Sequence, residues 1–401
     1  MNVLFLTLLD FNSLAERNIY TDLLREFTKR DHQVYVISPV ERRKNQRTSL
    51  VKDANTTILK LKIGNTQKTN LIEKGISTVS IEPLFIAGIK KYFSNVKFDL
   101  VIYSTPPITF CKAIEFVKKR DDARTYLLLK DIFPQNAVDM GMMTKTGVKS
   151  VIYKYFRDKE KKLYAISDYI GCMSQANADY IIKHNPDVDP SIVEICPNSV
   201  EPVDMSVNQE TRNAIREKYG IPVDKKVFVY GGNLGKPQGI GFLIKCLESQ
   251  KDNEEAFFLI IGDGTEFTKL EAYVKNANQN NLKLMKRLPK EDYDTMVGAC
   301  DIGMIFLDYR FTIPNFPSRL LSYMQAKIPV LAVTDTSTDI GSMIVDGGFG
   351  MWIESNDVEE FAKCINEFCR RAEFGGDAEF EYVEKYFNSE NSYHTIMEKY
   401  Q

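Results

Sequence analysis

Residues 226–264 read KVFVYGGNLGKPQGIGFLIKCLESQKDNEEAFFLIIGDG. A short apolar run ends in a glycine-rich loop. A helical stretch follows, and a second apolar run ends in Gly-Asp-Gly. Continuous apolar runs of strand length, joined through helices, are the pattern of parallel strands covered on both faces. The alternation continues downstream through LKLMKRLP (282–289), DIGMIFL (301–307), PVLAV (329–333) and GFGMWIE (348–354).

Upstream, a polar stretch with prolines and one short helix follows residue 200 and marks a connection. Before it the pattern runs a first time. VLFLTLL (3–9), QVYVISP (33–39), DLVIYST (99–105), ARTYLLLKD (123–131) and DYIGCMS (168–174) have strand character. Residues 14–28 predict a helix with Leu14, Ile19, Leu23, Leu24 and Phe27 on one face. The expected fold class is therefore α/β: two doubly wound Rossmann-like domains whose strand C-termini face a central cleft. Residues 1–200 form the first domain and 201–380 the second. A final helix in 381–401 is expected to pack back on the first.

The bulk properties remove several function classes. Lys and Arg number 52 against 54 Asp and Glu, so no general attraction to nucleic acid is expected. Seven cysteines are scattered without a C-x-x-C pair, which predicts reduced thiols in a cytoplasmic setting. Three histidines, His32, His184 and His394, leave little for a His-based triad or a metal site. MNVLFLTLLD has the character of a first strand rather than a signal peptide, and no apolar run approaches the ~20 residues of a membrane helix.

In open α/β sheets ligands bind beyond the carboxyl ends of the strands. In the second half, the loop with Gly232, Asn233, Lys236 and Gln238 follows one strand. Its spacing departs from the dinucleotide fingerprint G-x-G-x-x-G. Close backbone approach at Gly232 and a point charge from Lys236 suit a phosphate. Asp263 ends the next strand, and Arg287 and Leu288 end the third. FTIPNFPSRLLSYMQAKIPVLAV (311–333) predicts an amphipathic helix with Pro317 and Ser318 in its first turn. Arg319 there is charged where a helix end already favours anions, and Ser322 is polar one turn on.

In the first half, Asp131 ends a strand and is the candidate base toward an acceptor hydroxyl. Thr105 ends the neighbouring strand. Residues 145–162 hold seven lysines and arginines against two acids, among them Lys149 and Lys154. Val148, Val151, Ile152, Tyr155 and Phe156 fall at helical spacing between them. Such a helix suits an anionic membrane surface, or a packed core with a basic outer face.

Taken together, several stretches resemble the retaining GT-B glycosyltransferases of family 4, in the branch that builds bacterial surface polysaccharides and includes fucosamine-transferase-like enzymes. They are ERNIYTDLLREF with HQVYVIS, KDIFPQNAVDMGMM (130–143), CPNSVEP (196–202), YGGNLGKPQG (230–239), LIIGDGTEFTKLE (259–271) and PSRLLSYMQAKIPVLAV (317–333). The resemblance implies a UDP-linked nucleotide-diphosphate sugar donor, bound by the second domain without metal or other cofactor. It implies an undecaprenyl-diphosphate-linked acceptor met at the inner face of the plasma membrane. Lys236, Arg319 and Asp131 take the catalytic roles. Donor contacts fall to Arg17, Gly232, Asn233, Gln238, Asp263, Arg287, Leu288, Pro317, Ser318 and Ser322. Glu16, Thr105, Lys149 and Lys154 serve the acceptor or membrane side.

Three departures separate this chain from many family members. The two glutamates seven residues apart are replaced by Pro314 and Ser322. The Arg and Lys of the first loop of the second domain appear as Asn233 and Gln238, with Lys236 between them. The glycine pair of the first N-terminal loop is replaced by FNSLAERNIY, with Glu16 and Arg17. A UDP-sugar 2-epimerase on the same fold, or a non-catalytic nucleotide-sugar-binding subunit, are the alternative expectations.

Overall fold

The computed structural model describes residues 1–66, 71–148, 150–371 and 375–400. The chain forms two compact units. The first comprises Met1–Glu201 with Ser389–Gln401, and the second Pro202–Asn388.

In the first unit, strands β1 (Asn2–Leu6), β2 (Gln33–Glu41), β3 (Ser49–Asp53), β4 (Thr56–Ile63), β5 (Leu100–Ser104), β6 (Arg124–Leu129), β7 (Tyr169–Cys172) and β8 (Val193–Ile195) make one sheet. Their order is β3-β4-β2-β1-β5-β6-β7-β8, and only the β3–β4 pair is antiparallel. Parallel strands need both faces covered, and β1, β5 and β6 are apolar along almost their whole length for that reason. The β3–β4 hairpin was not anticipated from sequence.

The first helix is shorter than its periodicity predicts, running Ile19–Lys29. Asn18 sets its start: its side chain accepts from Tyr20 N and Thr21 N at 2.9 and 3.0 Å, and Thr21 Oγ1 returns a bond to Asn18 N. Leu14 still reaches the core, but from a loop. That loop, not a helix, carries Glu16 and Arg17. The helix Ser389–Met397 packs on Ile19–Lys29 within this unit, through the Phe27 and Tyr393 rings and the Arg30–Glu390 ion pair.

In the second unit, β9 (Lys226–Asn233), β10 (Ala256–Asp263), β11 (Leu282–Lys286), β12 (Ile302–Phe306), β13 (Val330–Thr334) and β14 (Gly350–Glu354) are all parallel, in the order β11-β10-β9-β12-β13-β14. The order reverses between β9 and β12. That is the switch point where doubly wound sheets bind ligands. The second unit runs past residue 380, because the helix Asp377–Tyr386 is held to it by Lys327–Asp377, Phe349–Tyr382 and Phe316–Phe387. The polar connection is strapped down as well: Met205 N donates to Gln325 O at 2.8 Å and Val203 N to Gln325 Oε1 at 3.1 Å.

Candidate functional site

The carboxyl ends of β9, β10 and β11 open on a cavity of about 560 Å³. That is within the ~300–1,000 Å³ of small-molecule sites. Gly232, Asn233, Asp263, Arg287 and Leu288, all marked from sequence, line it. Ile261, Pro289, Lys290 and Tyr293 line it too and were missed. Tyr293 lies in the helix Lys290–Gly298 within KEDYDTM, where a tyrosine among charges gives no signal of a site. Lys290 forms an ion pair with Asp294.

Arg319 adjoins this wall. It follows β12 and opens the helix Arg319–Gln325. Its guanidinium carbon lies 4.5 Å from the Tyr230 ring centroid and 3.8 Å from where a Cβ would stand on Gly232. Gly232 holds φ at +116°, a conformation that L side chains rarely adopt, so the backbone requires glycine there, while the guanidinium stands at ordinary van der Waals distance. Gly231, one residue back, is bare for a different reason. A Cβ there would overlap the Tyr293 ring and hydroxyl.

The Arg319 charge has no counter-charge here. Its Nη1 is buried without a hydrogen-bond partner, and among the described residues it makes no ion pair. Tyr230, Tyr293 and Tyr323 surround it. Burial raises all three phenols, Tyr323 to about 12, so they stay neutral. The Tyr323 hydroxyl donates to Met304 O at 3.0 Å and accepts from Gly231 N at 3.3 Å, tying the helix to β9 and β12. A buried guanidinium with a vacant donor is costly unless an anion completes it.

Other expectations for this loop set change. Lys236 sits exposed on a 3-10 turn, Lys236–Gln238, outside the cavity wall. Gln238 is buried, and its Oε1 accepts from Gly235 N at 3.1 Å and Asn233 Nδ2 at 3.0 Å. Its amide therefore holds the loop and is turned away from donor contact. Pro317 and Ser318 precede the helix instead of forming its first turn, since Leu320 N and Leu321 N bond back to their carbonyls in i→i−3 fashion. With 7 residues the helix is too short for its dipole to matter beside the Arg319 charge. Ser322 is half-buried one turn on.

In the first unit, Asp131 is half-buried just after β6. Its two carboxylate oxygens accept from Asn136 Nδ2, each at 2.9 Å. Burial pushes its pKa up to about 6, against the opposing pull of the Asn136 bond. Thr105 is 1% exposed, and its Oγ1 accepts from Lys130 N and Asp131 N at 3.0 Å each. It positions Asp131 and cannot meet an acceptor at the surface. Glu16 Oε1 accepts from Asn12 N at 2.7 Å, so its carboxylate closes its own loop. Arg17 Nη2 donates to Glu201 O at 3.1 Å. Lys154 is exposed on the helix Ser150–Ile166, and Lys149 lies outside the described residues.

Residues 211–374, within the second unit, match the model of the family described as glycosyl transferases group 1. The two Rossmann-like units make the GT-B fold. Among curated proteins, the chain is similar to the probable glycosyltransferase WbjE of Pseudomonas aeruginosa, 26% identical over 77% of this chain and 75% of that one. It is also similar to the putative colanic acid biosynthesis glycosyl transferase WcaI of Escherichia coli, 23% identical over 73% and 71%. Among solved structures, Anabaena HepE in complex with UDP and glucose superposes with a TM-score of 0.67 at 14% identity, over 100% of this chain and 99% of that one.

Proposed function

We propose that this protein is a retaining glycosyltransferase that moves a sugar from a UDP-sugar to a lipid-linked saccharide in bacterial surface polysaccharide synthesis. The observation that carries the reading is the buried, unpartnered Nη1 of Arg319 beside Gly232, at the edge of a cavity walled by the β9, β10 and β11 loops. The relatives in polysaccharide assembly and a similar solved structure holding UDP support it. Retention and the undecaprenyl-diphosphate acceptor follow the family resemblance, as does a peripheral place on the inner membrane face.

The nucleotide occupies the cavity, and the diphosphate completes the Arg319 guanidinium. In the reaction the bond from sugar C1 to the diphosphate oxygen breaks, and its electron pair stays on that oxygen. Arg319 meets the charge that develops there, a charge-assisted contact of ~1.5–3 kcal/mol. The acceptor oxygen bonds C1 on the same face, and its proton passes to the Asp131 carboxylate. Lys236 adds a mobile positive charge outside the wall. Arg287 and the Leu288 backbone bound the nucleoside end.

Incubation with a panel of UDP-sugars and undecaprenyl-diphosphate-linked saccharide tests the reading. Glycolipid formation with retained configuration is expected. Acceptor-independent formation of isomeric UDP-sugars would make the protein an epimerase instead. Donor binding without any turnover would make it a non-catalytic binding subunit.

A further inference from the structure

The helix Ser150–Ile166 already has a packing face. Ser150, Leu163, Tyr164 and Glu160 are buried, the Glu160 carboxylate accepts from the Tyr164 hydroxyl, Lys159 pairs with Glu82, and the Phe156 ring packs on Phe133. Its first turns, with Val148 before them, carry a second, exposed apolar set. Val148 is 93% exposed, Val151 68%, Ile152 54% and Tyr155 44%. Val151, Ile152 and Tyr155 share one face of the helix, and Val148 stands just before its start. Met142, 55% exposed, adds to it from the preceding loop.

A set of this kind is unusual on a soluble surface unless something covers it. Its electrostatic surroundings choose the occupant. Residues 140–157 contain no Asp or Glu, but hold Lys145, Lys149, Lys154 and Arg157. Lys145 and Lys154 are exposed. The acidic groups nearest along the chain are Asp139, which accepts from Gln135 Nε2 at 2.6 Å, Asp158, exposed one turn past Tyr155, and Glu160, which Arg157 neutralises. Apolar side chains ringed by lysines match the boundary between acyl chains and anionic headgroups. We propose that Met142, Val148, Val151, Ile152 and Tyr155 insert into an anionic lipid bilayer while Lys145 and Lys154 engage its headgroups. This deepens the reading of a membrane-borne acceptor and rests on it for its purpose, though not for its test.

The test is co-sedimentation of the full chain with vesicles of phosphatidylcholine alone and of phosphatidylcholine mixed with phosphatidylglycerol. Binding to the mixed vesicles is expected, with little to the neutral ones. Val151→Asp/Ile152→Asp reduces it at least about tenfold, and Lys154→Glu about fivefold. Both variants keep the wild-type Tm, because the residues are exposed. Wild-type vesicle binding by Val151→Asp/Ile152→Asp would overturn the proposal. So would self-association of the wild type, lost in that variant, without vesicle binding. Vesicle binding without sugar transfer would remove the functional reading and leave the surface standing. Transfer to a short-chain soluble acceptor without vesicle binding would do the reverse.

Discussion

Arg319 lies over the Tyr230 ring at 4.5 Å, yet its Nη1 faces no partner at all. A cation–π contact orients the guanidinium at a cost well below that of an ion pair, and leaves its donors available. The charge is thus held in place before any ligand arrives. Such preorganisation favours binding of developing charge and disfavours the empty fold.

Arg319→Met should therefore split function from stability. Sugar transfer is expected to fall about 10²–10³-fold, the usual effect of losing one preorganised donor. The unliganded protein should be as stable as wild type or more so, since an uncompensated charge is removed and the packing on Tyr230 is kept. Arg319→Lys retains the charge but not the planar stack, and should fall between the two. Steady-state kinetics paired with thermal unfolding check this. Unchanged transfer in the methionine variant would remove Arg319 from the mechanism.

Gly231 and Tyr293 should behave as a coupled pair. A Cβ at 231 overlaps the Tyr293 ring, so Gly231→Ala is expected to destabilise by about 1–3 kcal/mol. Tyr293→Ala alone opens the cavity and loses packing. In the double variant the overlap is gone, and the two effects should sum to less than the separate losses. A double-mutant cycle in urea measures the coupling, and strict additivity would place Tyr293 away from Gly231.

Gln238 holds the loop that carries Asn233 and Lys236. Gln238→Ala leaves the Gly235 N–H without its acceptor in a buried setting, which costs about 1–3 kcal/mol. The donor KM should rise while kcat changes little, because the loop loosens and the Arg319 contact remains. Gln238→Glu keeps an acceptor for both bonds and should recover most of the KM. Kinetics across donor concentration check this, and a wild-type KM in Gln238→Ala decides against the clamp.

Much of this was legible in the residues, and the limits have physical causes. Continuous apolar runs such as those of β9 and β10 declare buried parallel strands, because nothing polar is tolerated on either face. Arg319 was marked by its charge at the start of an apolar helix and Asp131 by its place at a strand end, and those are the positions that the structure gives them. Gly232 was marked for close approach to a ligand, and what the structure shows there is a φ of +116° that itself calls for glycine. Tyr293 was hidden because burial by a distant strand leaves no local pattern. Thr105 and Gln238 were assigned to ligands because a sequence shows that a group is polar, not which backbone atoms it satisfies. The hairpin β3–β4 was passed over, although TTILKLKI alternates as a half-buried strand does.

Asp131 makes the sharpest pH prediction. Burial raises its pKa to about 6, so the folded protein binds a proton that the unfolded chain has released by about pH 4. The stability cost of the ionised form is therefore absent at low pH, grows as pH rises from about 4 to about 6, and is complete above that. Asp131→Asn should be stabilising relative to wild type at pH 7.5 or thereabouts, and this gain should shrink toward pH 4. A salt-bridged carboxylate would give the opposite trend. Transfer should rise with pH along a limb centred near 6, since only the carboxylate accepts the acceptor proton. Asn136→Ala removes the hydrogen bonds that favour the charged form, and should move that limb to higher pH. Denaturant unfolding across pH checks the stability statement, and pH–rate profiles for the wild type and both variants check the other two. A limb that stays in place without Asp131 would assign the proton to another group.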